Sequence, residues 1–455
     1  MKEIPNGPAL ILGYGKEGES VHRYLQTHHP GLTIGIADQK EIPTLVDSNV
    51  RVHTGKEYLS SIKGYNVIVR SPGIPMSVPE LRKARGHGKW VTSATNIFFS
   101  ECPGMVIGIT GTKGKSTTTS MIADIVSMQY PDVRLIGNIG RPALDYLNGA
   151  TRDSIFVMEL SSHQLEDSRY SPHVAVVLNI VPEHLDYYDN FDQYVRAKGQ
   201  IVNHQTEEDI VIFNPTNQIL TRLIEQAKSQ KYLFSLTPGT NLFCWLENGA
   251  IYTKKTTGQP QRILSQKNIT TLGMGNVENT LAAVSVGLAL NIPADKIQRA
   301  VAEFKPLPHR IEKVGEIRGI TFYNDSLATI PEATIHALKA LGPDVATLIA
   351  GGYDRGLDYT ELGQFIAGRS TLHTLILFPD TGPKIWEAIR RSHGEKNDQL
   401  SHFPVQTMEE AVDLAFKYTP ASKICLLSPA AASFNLFKDY QDRGDSFKRM
   451  VLSRQ

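Results

Sequence analysis

Gly108-Ile109-Thr110-Gly111-Thr112-Lys113-Gly114-Lys115-Ser116 follows the apolar run Met105-Val106-Ile107 and opens into a helical pattern. Strand, glycine turn and helix in that order are the parts of a phosphate cradle. Ile109 stands where the strict GxxxxGK[ST] pattern has its first glycine. The physics survives that mismatch. Gly111 and Gly114 let successive backbone N–H groups curl around a phosphate, and the helix N-terminus adds its dipole. Lys115 is spaced to reach the outer phosphates of a nucleotide, and Ser116 or Thr117 to offer a hydroxyl to Mg²⁺.

The same rhythm of apolar run, turn and helical pattern extends in both directions. Upstream, Ala9-Leu10-Ile11-Leu12 leads into Gly13-Tyr14-Gly15-Lys16-Glu17-Gly18. Thr33 to Ala37 ends at Asp38, and Val67-Ile68-Val69 is followed by Ser71-Pro72-Gly73. Downstream, Ser154–Met158 and Val174–Leu178 continue the pattern, and residues 229–270 read as a small antiparallel excursion at a domain edge. Asn279 to Leu290 reads as an Ala- and Leu-rich helix. Resets at Cys102-Pro103-Gly104 and Phe304-Lys305-Pro306-Leu307-Pro308 divide the chain. Runs at 347–350, 374–377 and 423–427 predict a third parallel sheet. The expectation is three α/β domains, over 1–102, 103–305 and 306–455.

Composition narrows the function. The 455 residues carry 47 Lys+Arg against 46 Asp+Glu, a net charge of +1. That balance argues against a nucleic-acid-binding tail or a polybasic membrane face. With 41% hydrophobic and 20% charged residues the chain reads as globular and soluble. Cys102, Cys244 and Cys425 lie too far apart in sequence for a CxxC metal site or a disulfide framework. No signal-peptide-like core and no bilayer-length apolar run is evident, so a reduced, cytoplasmic setting is expected.

Other residues could carry chemistry. Gly13, Gly15 and Gly18 with Asp38 form a dinucleotide-type fingerprint, although a glycine-rich turn can equally hold the diphosphate of a nucleotide sugar. Glu159 ends one predicted strand, and Glu183-His184-Leu185-Asp186 follows another; a carboxylate and an imidazole there suit Mg²⁺ against triphosphate oxygens. Lys198, by residue type, reads as a solvated helix lysine. Asp325 ends a further strand, and Arg310 follows the second reset, where an arginine suits a transferring phosphoryl group.

Taken in order, Thr110–Ser116, Gly137-Asn138-Ile139-Gly140, Glu159-Leu160-Ser161-Ser162-His163-Gln164, Glu183–Asp186, Leu307-Pro308-His309-Arg310, Asn324-Asp325-Ser326 and Leu427-Ser428-Pro429-Ala430 resemble the Mur ligases over nearly the whole chain. The likeness is greatest to the branch that adds glutamate to UDP-N-acetylmuramoyl-L-alanine. It implies an N-terminal Rossmann-like domain for the UDP-sugar, a central P-loop ATPase and a C-terminal Rossmann-like domain for the incoming amino acid. Gly15, Asp38, Ser71, Pro72, Gly73, Asn138, Ser161 and Gln164 then look like UDP-sugar contacts. Gly111, Thr112, Lys113, Gly114, Lys115, Ser116, Thr117, Asn276, Asn279, Arg310 and Asp325 look like the ATP side. Ser116, Glu159, His184 and a carbamylated Lys198 look like ligands for two Mg²⁺ ions. Thr329, Arg355, Ser433 and Phe437 look like the amino-acid side. Lys115, Glu159, His184, Lys198 and Arg310 would carry catalysis.

The resemblance thus implies a monomeric cytoplasmic ligase of peptidoglycan precursor synthesis, using ATP, UDP-N-acetylmuramoyl-L-alanine and glutamate, without nucleic acid or membrane insertion. Three positions depart from the pattern. Met274 replaces a histidine in Gly273-Met274-Gly275-Asn276, Leu327 replaces a lysine after Asn-Asp-Ser, and Arg355 stands for another lysine. Leu327 and Arg355 make an L-glutamate-adding variant the near alternative. A folylpolyglutamate-synthase-like ligase shares the ATPase core but not the N-terminal glycine turn. An NAD-binding oxidoreductase would use that turn but leave the P-loop unexplained, and a silent nucleotide-sugar scaffold would leave Lys115, Glu159, His184 and Lys198 without a purpose.

Overall fold

The computed structural model describes residues 3–42, 50–184, 187–254, 258–393 and 400–455. They build three sheets in two compact units, Met1–Ile269 with Gly275–Phe304, and Thr270–Met274 with Lys305–Gln455.

In the first unit a five-stranded parallel sheet runs in the order Val50–Thr54, Ile34–Asp38, Ala9–Leu12, Val67–Arg70, Trp90–Ser93. Ala9–Leu12 and Val67–Arg70 are buried throughout, as central parallel strands covered on both faces must be. Their neighbouring carboxyl ends bring Gly13 and Ser71 together, and Ser71 Oγ donates to the Gly13 carbonyl at 2.8 Å.

The second sheet of this unit has nine strands. Within it Met105–Thr110 is flanked by Ile155–Glu159 on one side and Val174–Val177 on the other, all parallel. The phosphate loop therefore leaves the sheet between the strand ends that carry Glu159 and Asn179. The helix Lys115–Ser127 packs Met121, Ile122, Ile125 and Val126 into one core with Ile107, Ile109, Val176, Leu281 and Val284. Each such side chain contributes roughly 1.5–3 kcal/mol of burial. Ile109 is fully buried in that core, so the position where the strict motif has glycine is here a packed strand residue.

The excursion over 229–270 is only partly antiparallel. Gln230–Ser235 and Cys244–Glu247 continue the parallel sheet, and only Ala250–Thr253 runs against it, pairing antiparallel with Cys244–Glu247 and with the edge strand Gln261–Ser265. The Ala-rich helix starts earlier than the sequence predicts, at Met274, and runs to Ala289.

The second unit holds six strands in the order Glu312–Ile317, Ile320–Asn324, Ile424–Leu427, Val345–Gly352, Thr374–Asp380, Ser401–Pro404. It is a mixed sheet, which corrects the expectation of a purely parallel one. Glu312–Ile317 pairs antiparallel with Ile320–Asn324 through the two-residue turn Arg318-Gly319, both at positive φ (52° and 77°), the geometry a tight hairpin requires. No helix among the described residues is long and apolar enough to cross a membrane.

Candidate active site

The phosphate loop is built from strand end, turn and helix start as the sequence predicts. Gly114 caps the helix at φ 86°, with no side chain closing the N-terminus. Its missing side chain also makes room, because a Cβ there would run into Asn279 Oδ1. Asn279 in turn donates to Asn276 Oδ1 at 3.0 Å. Asn279 thus sits against the phosphate loop, with Asn276 bonded to it. Lys115 Nζ folds back onto the Gly111 and Thr112 carbonyls, 3.0 Å from each. The Lys113 side chain instead pairs with Glu183 at 2.6 Å. Ser116 is half-buried on the first helical turn and Thr117 is buried beside it.

Glu159 is buried at its strand end. Asn138 donates to its Oε1 at 2.9 Å, whereas Oε2 is enclosed with no hydrogen-bond partner among the described residues. A buried carboxylate oxygen left open beside a phosphate loop has the chemistry of a hard-cation ligand. Asn138, read from the resemblance as a sugar contact, here holds the carboxylate.

Lys198 is not solvated. It is 1% exposed on the helix Phe191–Asn203, with Nζ 2.8 Å from the Gly111 carbonyl and 3.5 Å from Thr110 Oγ1. Burial first, then the Lys115 charge, push its amine well below the usual lysine range. His184 is exposed and held at φ 57°, its ring near those of His163 and Tyr194. Leu185 and Asp186 of that motif lie outside the described residues. Among the described residues no three His, Cys, Asp or Glu side chains form a ready-made metal cluster. The side chains there whose chemistry suits a hard cation are the open Glu159 oxygen, the His184 imidazole and the Ser116 hydroxyl.

Tyr194 is the residue that sequence reasoning missed here. Its hydroxyl lies 2.9 Å from Thr112 Oγ1, and the Lys198 ammonium sits 4.8 Å from its ring centre. Burial pushes that phenol far up. Tyr194 precedes Lys198 by four residues, one helical turn, which is the signal that could have found it.

At the N-terminal sheet, Asp38 accepts from the backbone N–H of Tyr14 at 2.7 Å and of Lys40 at 2.9 Å, closing the glycine turn. Gly15 has open space around it and caps the helix Lys16–His28 without a side-chain bond. The Ser71-Pro72-Gly73 turn is pinned by the buried Arg70. Its guanidinium donates to the Ile74 carbonyl at 2.7 Å, the His163 carbonyl at 3.0 Å and Asp167 at 2.7 Å. Ser161 and Gln164 form a reciprocal capping box, and Gln164 Nε2 donates to Glu17 at 2.6 Å.

The remaining predicted residues lie in the second unit. Asp325 is buried. It accepts from Ser428 Oγ at 2.7 Å and from the Ile311 N–H at 3.2 Å, and burial pushes its carboxyl up to about 7. Arg310 is half-buried and lowers the Asp325 pKa by its charge. Leu327 and Thr329 are half-buried, Arg355 is exposed and Ser433 is buried. Phe437 packs edge-on against Phe378 at 6.0 Å and belongs to the core beneath the sheet.

Fold and site together define a P-loop nucleotide-dependent enzyme with an attached nucleotide-sugar-type module. Residues 109–287 match the Mur ligase middle domain, and residues 8–93 the N-terminal domain of MurD-like Mur ligases. The chain is similar to the UDP-N-acetylmuramoylalanine–D-glutamate ligase of Koribacter versatilis, 35% identical over 97% of this chain and 96% of that one. It is also similar to the enzyme of that name from Acetivibrio thermocellus, at 34% over 99% and 97%. Among solved structures, UDP-N-acetylmuramate–alanine ligase of Thermotoga maritima superposes with a TM-score of 0.61 at 15% identity, covering 99% of this chain and all of that one. MurF ligase of Thermotoga maritima in complex with ADP gives 0.58 at 17%, covering all of this chain and 96% of that one. The chain belongs to the Mur ligase family. Its glycine fingerprint is therefore part of a Mur ligase N-terminal domain, which overturns the oxidoreductase alternative.

Proposed function

We propose that this chain is a cytoplasmic, ATP-dependent amide ligase of peptidoglycan precursor synthesis that joins D-glutamate to UDP-N-acetylmuramoyl-L-alanine. The observation that carries this reading is the pairing of an open, buried Glu159 oxygen with a buried lysine amine at one phosphate loop, in a chain whose full-length relatives bear that name. The domains 1–102, 103–305 and 306–455 would divide the work among UDP-sugar, ATP and amino acid, in a monomer.

A carboxylate does not accept an amine at neutral pH, because oxide is a hopeless leaving group. The γ-phosphoryl of ATP is transferred to the alanyl carboxylate, giving an acyl phosphate and ADP. The glutamate amine then attacks the acyl carbon and phosphate leaves. Gly111 to Ser116 cradle the phosphates and Lys115 offsets their charge. Ser116, Glu159, His184 and Lys198 as its carbamate would hold Mg²⁺, in two positions, which supplies positive charge to the phosphate oxygens. Lys198 suits that role because only a neutral amine adds to CO₂, and the adduct turns a cation into an anion. Arg310 is the phosphate contact of the second unit and Asp325 its ribose-side acid. Thr329, Arg355 and Ser433 receive the amino acid.

Phosphate release with ATP, Mg²⁺ and UDP-N-acetylmuramoyl-L-alanine, run in parallel with D- and L-glutamate, tests the reading. Release with the D-enantiomer alone supports it and means that Arg355 suffices with leucine at 327. Release with the L-enantiomer alone makes the chain the variant ligase, the reading favoured by Leu327 and Arg355 themselves.

A further inference from the structure

Glu17 has no part in the reaction as described, yet it is placed as if it had one. It lies in the glycine turn, at the second residue of the helix Lys16–His28, and its carboxylate reaches the short helix Ser162–Leu165 that follows Glu159. Gln164 is the residue it meets, and that amide cannot be turned round. The Ser161 backbone N–H donates to Gln164 Oε1 at 3.0 Å, and Ser161 Oγ lies 3.1 Å from the same oxygen. The oxygen is therefore fixed toward Ser161, and Nε2 must face Glu17. Glu17 Oε1 takes one N–H at 2.6 Å. Glu17 Oε2 is enclosed and has no hydrogen-bond partner among the described residues.

We infer that Glu17 is a positioning residue for Gln164, and that through this amide it sets the strand-end turn on the muramoyl-alanine side of the UDP-sugar site. This rests on the substrate assigned above. Both groups are enclosed, Gln164 at 3% exposure and Glu17 Oε2 fully, so Glu17 acts by fixing the Gln164 amide and the Ser161 turn that this amide closes. The glycine turn that would hold the diphosphate and the strand-end loop after Glu159 are thereby set in one register. Burial, the leading cause, raises the Glu17 carboxyl above its ordinary range, while Gln164 and Arg70 oppose the rise and Asp167 adds to it.

The test is steady-state kinetics of the full chain with ATP and glutamate, varying UDP-N-acetylmuramoyl-L-alanine and then ATP. Glu17→Ala should raise KM for the UDP-sugar about tenfold, the loss of one charge-assisted hydrogen bond, and leave KM for ATP within about twofold. Glu17→Gln keeps an acceptor for Gln164 and should restore KM to within about threefold. Glu17→Ala with Gln164→Ala should be no worse than Gln164→Ala alone, because the two act as one unit. If the alanine variant does not accumulate folded, Glu17→Met keeps the volume without an acceptor and carries the same expectation. An unchanged UDP-sugar KM, additive effects in the double variant, or equal rises in both KM values would overturn the inference. A wild-type chain that does not turn over this UDP-sugar defeats the proposed function instead.

Discussion

Lys198 Nζ stands 2.8 Å from the carbonyl oxygen of Gly111, so a helix far along the chain delivers an amine into the bend of the phosphate loop. The contact fixes where any charge on that amine acts. As an ammonium it would repel Lys115 and oppose a cation at Glu159; as a carbamate it would do the reverse.

Lys198→Ala should therefore abolish most activity, by about a hundredfold or more in kcat, a size in keeping with the loss of a metal-site ligand. The fold should survive, since the substitution removes a costly buried amine that is held by a loop carbonyl and by no ion pair among the described residues. Bicarbonate should not rescue it. Circular dichroism and phosphate release check both halves, and wild-type turnover would exclude the carbamate role.

Gly114→Ala should be damaging for two separable reasons. The residue sits at φ 86°, where a side chain costs roughly 1–2 kcal/mol, and the added methyl would displace Asn279. KM for ATP should rise at least tenfold, against a UDP-sugar affinity that stays close to wild type. Equal loss of both in a binding titration would count against a local effect.

Much of this was legible in the sequence because parallel strands buried on both faces read as plain apolar runs, as Ala9–Leu12 and Val174–Val177 do. Val50–Thr54 escaped notice as an edge strand with alternate polar residues half in solvent. The hairpin at Glu312–Asn324 escaped because Arg318-Gly319 is not a common signal for a two-residue turn, although its backbone takes that shape. Lys198 shows the deeper limit. Nothing local distinguishes a buried lysine from a solvated one; its burial comes from the sheet that the helix covers. The motifs supplied through family resemblance marked it; Tyr194, one helical turn before it, was within reach of that spacing, whereas Arg70 and Glu17 became visible only through their tertiary partners.

Asp325 gives the second unit a definite pH dependence. An aspartate near 3.8 when unfolded and raised to about 7 when folded binds its proton more tightly in the folded state. Its contribution is complete below pH 4, declines as pH rises, and is gone above about 7, a change on the order of 4 kcal/mol at most. Asp325→Asn cannot ionise. Its stability relative to wild type, from urea unfolding at several pH values, should therefore climb between pH 4 and 7 and then level. A difference that does not vary with pH would show that the carboxyl titrates normally.

Arg443 is the least replaceable residue of that unit. It is fully buried, and its guanidinium is satisfied by Ser326 Oγ at 3.0 Å and by the carbonyls of Ser326 at 2.9 Å, Ala431 at 3.0 Å and Ala432 at 3.2 Å. Burial pushes it down to about 9, still charged at neutral pH. One planar fork thus ties the loop before Leu327 to the loop before Ser433, the two segments proposed to meet the amino acid. Lysine carries the charge but not the fork. Arg443→Lys should cost about 3 kcal/mol in urea unfolding, since carbonyls are left buried and unmet at roughly 1–3 kcal/mol each. With the loops no longer held together, KM for glutamate should rise about tenfold, whereas KM for ATP should move little. A variant that is destabilised but binds glutamate normally would confine Arg443 to holding the fold.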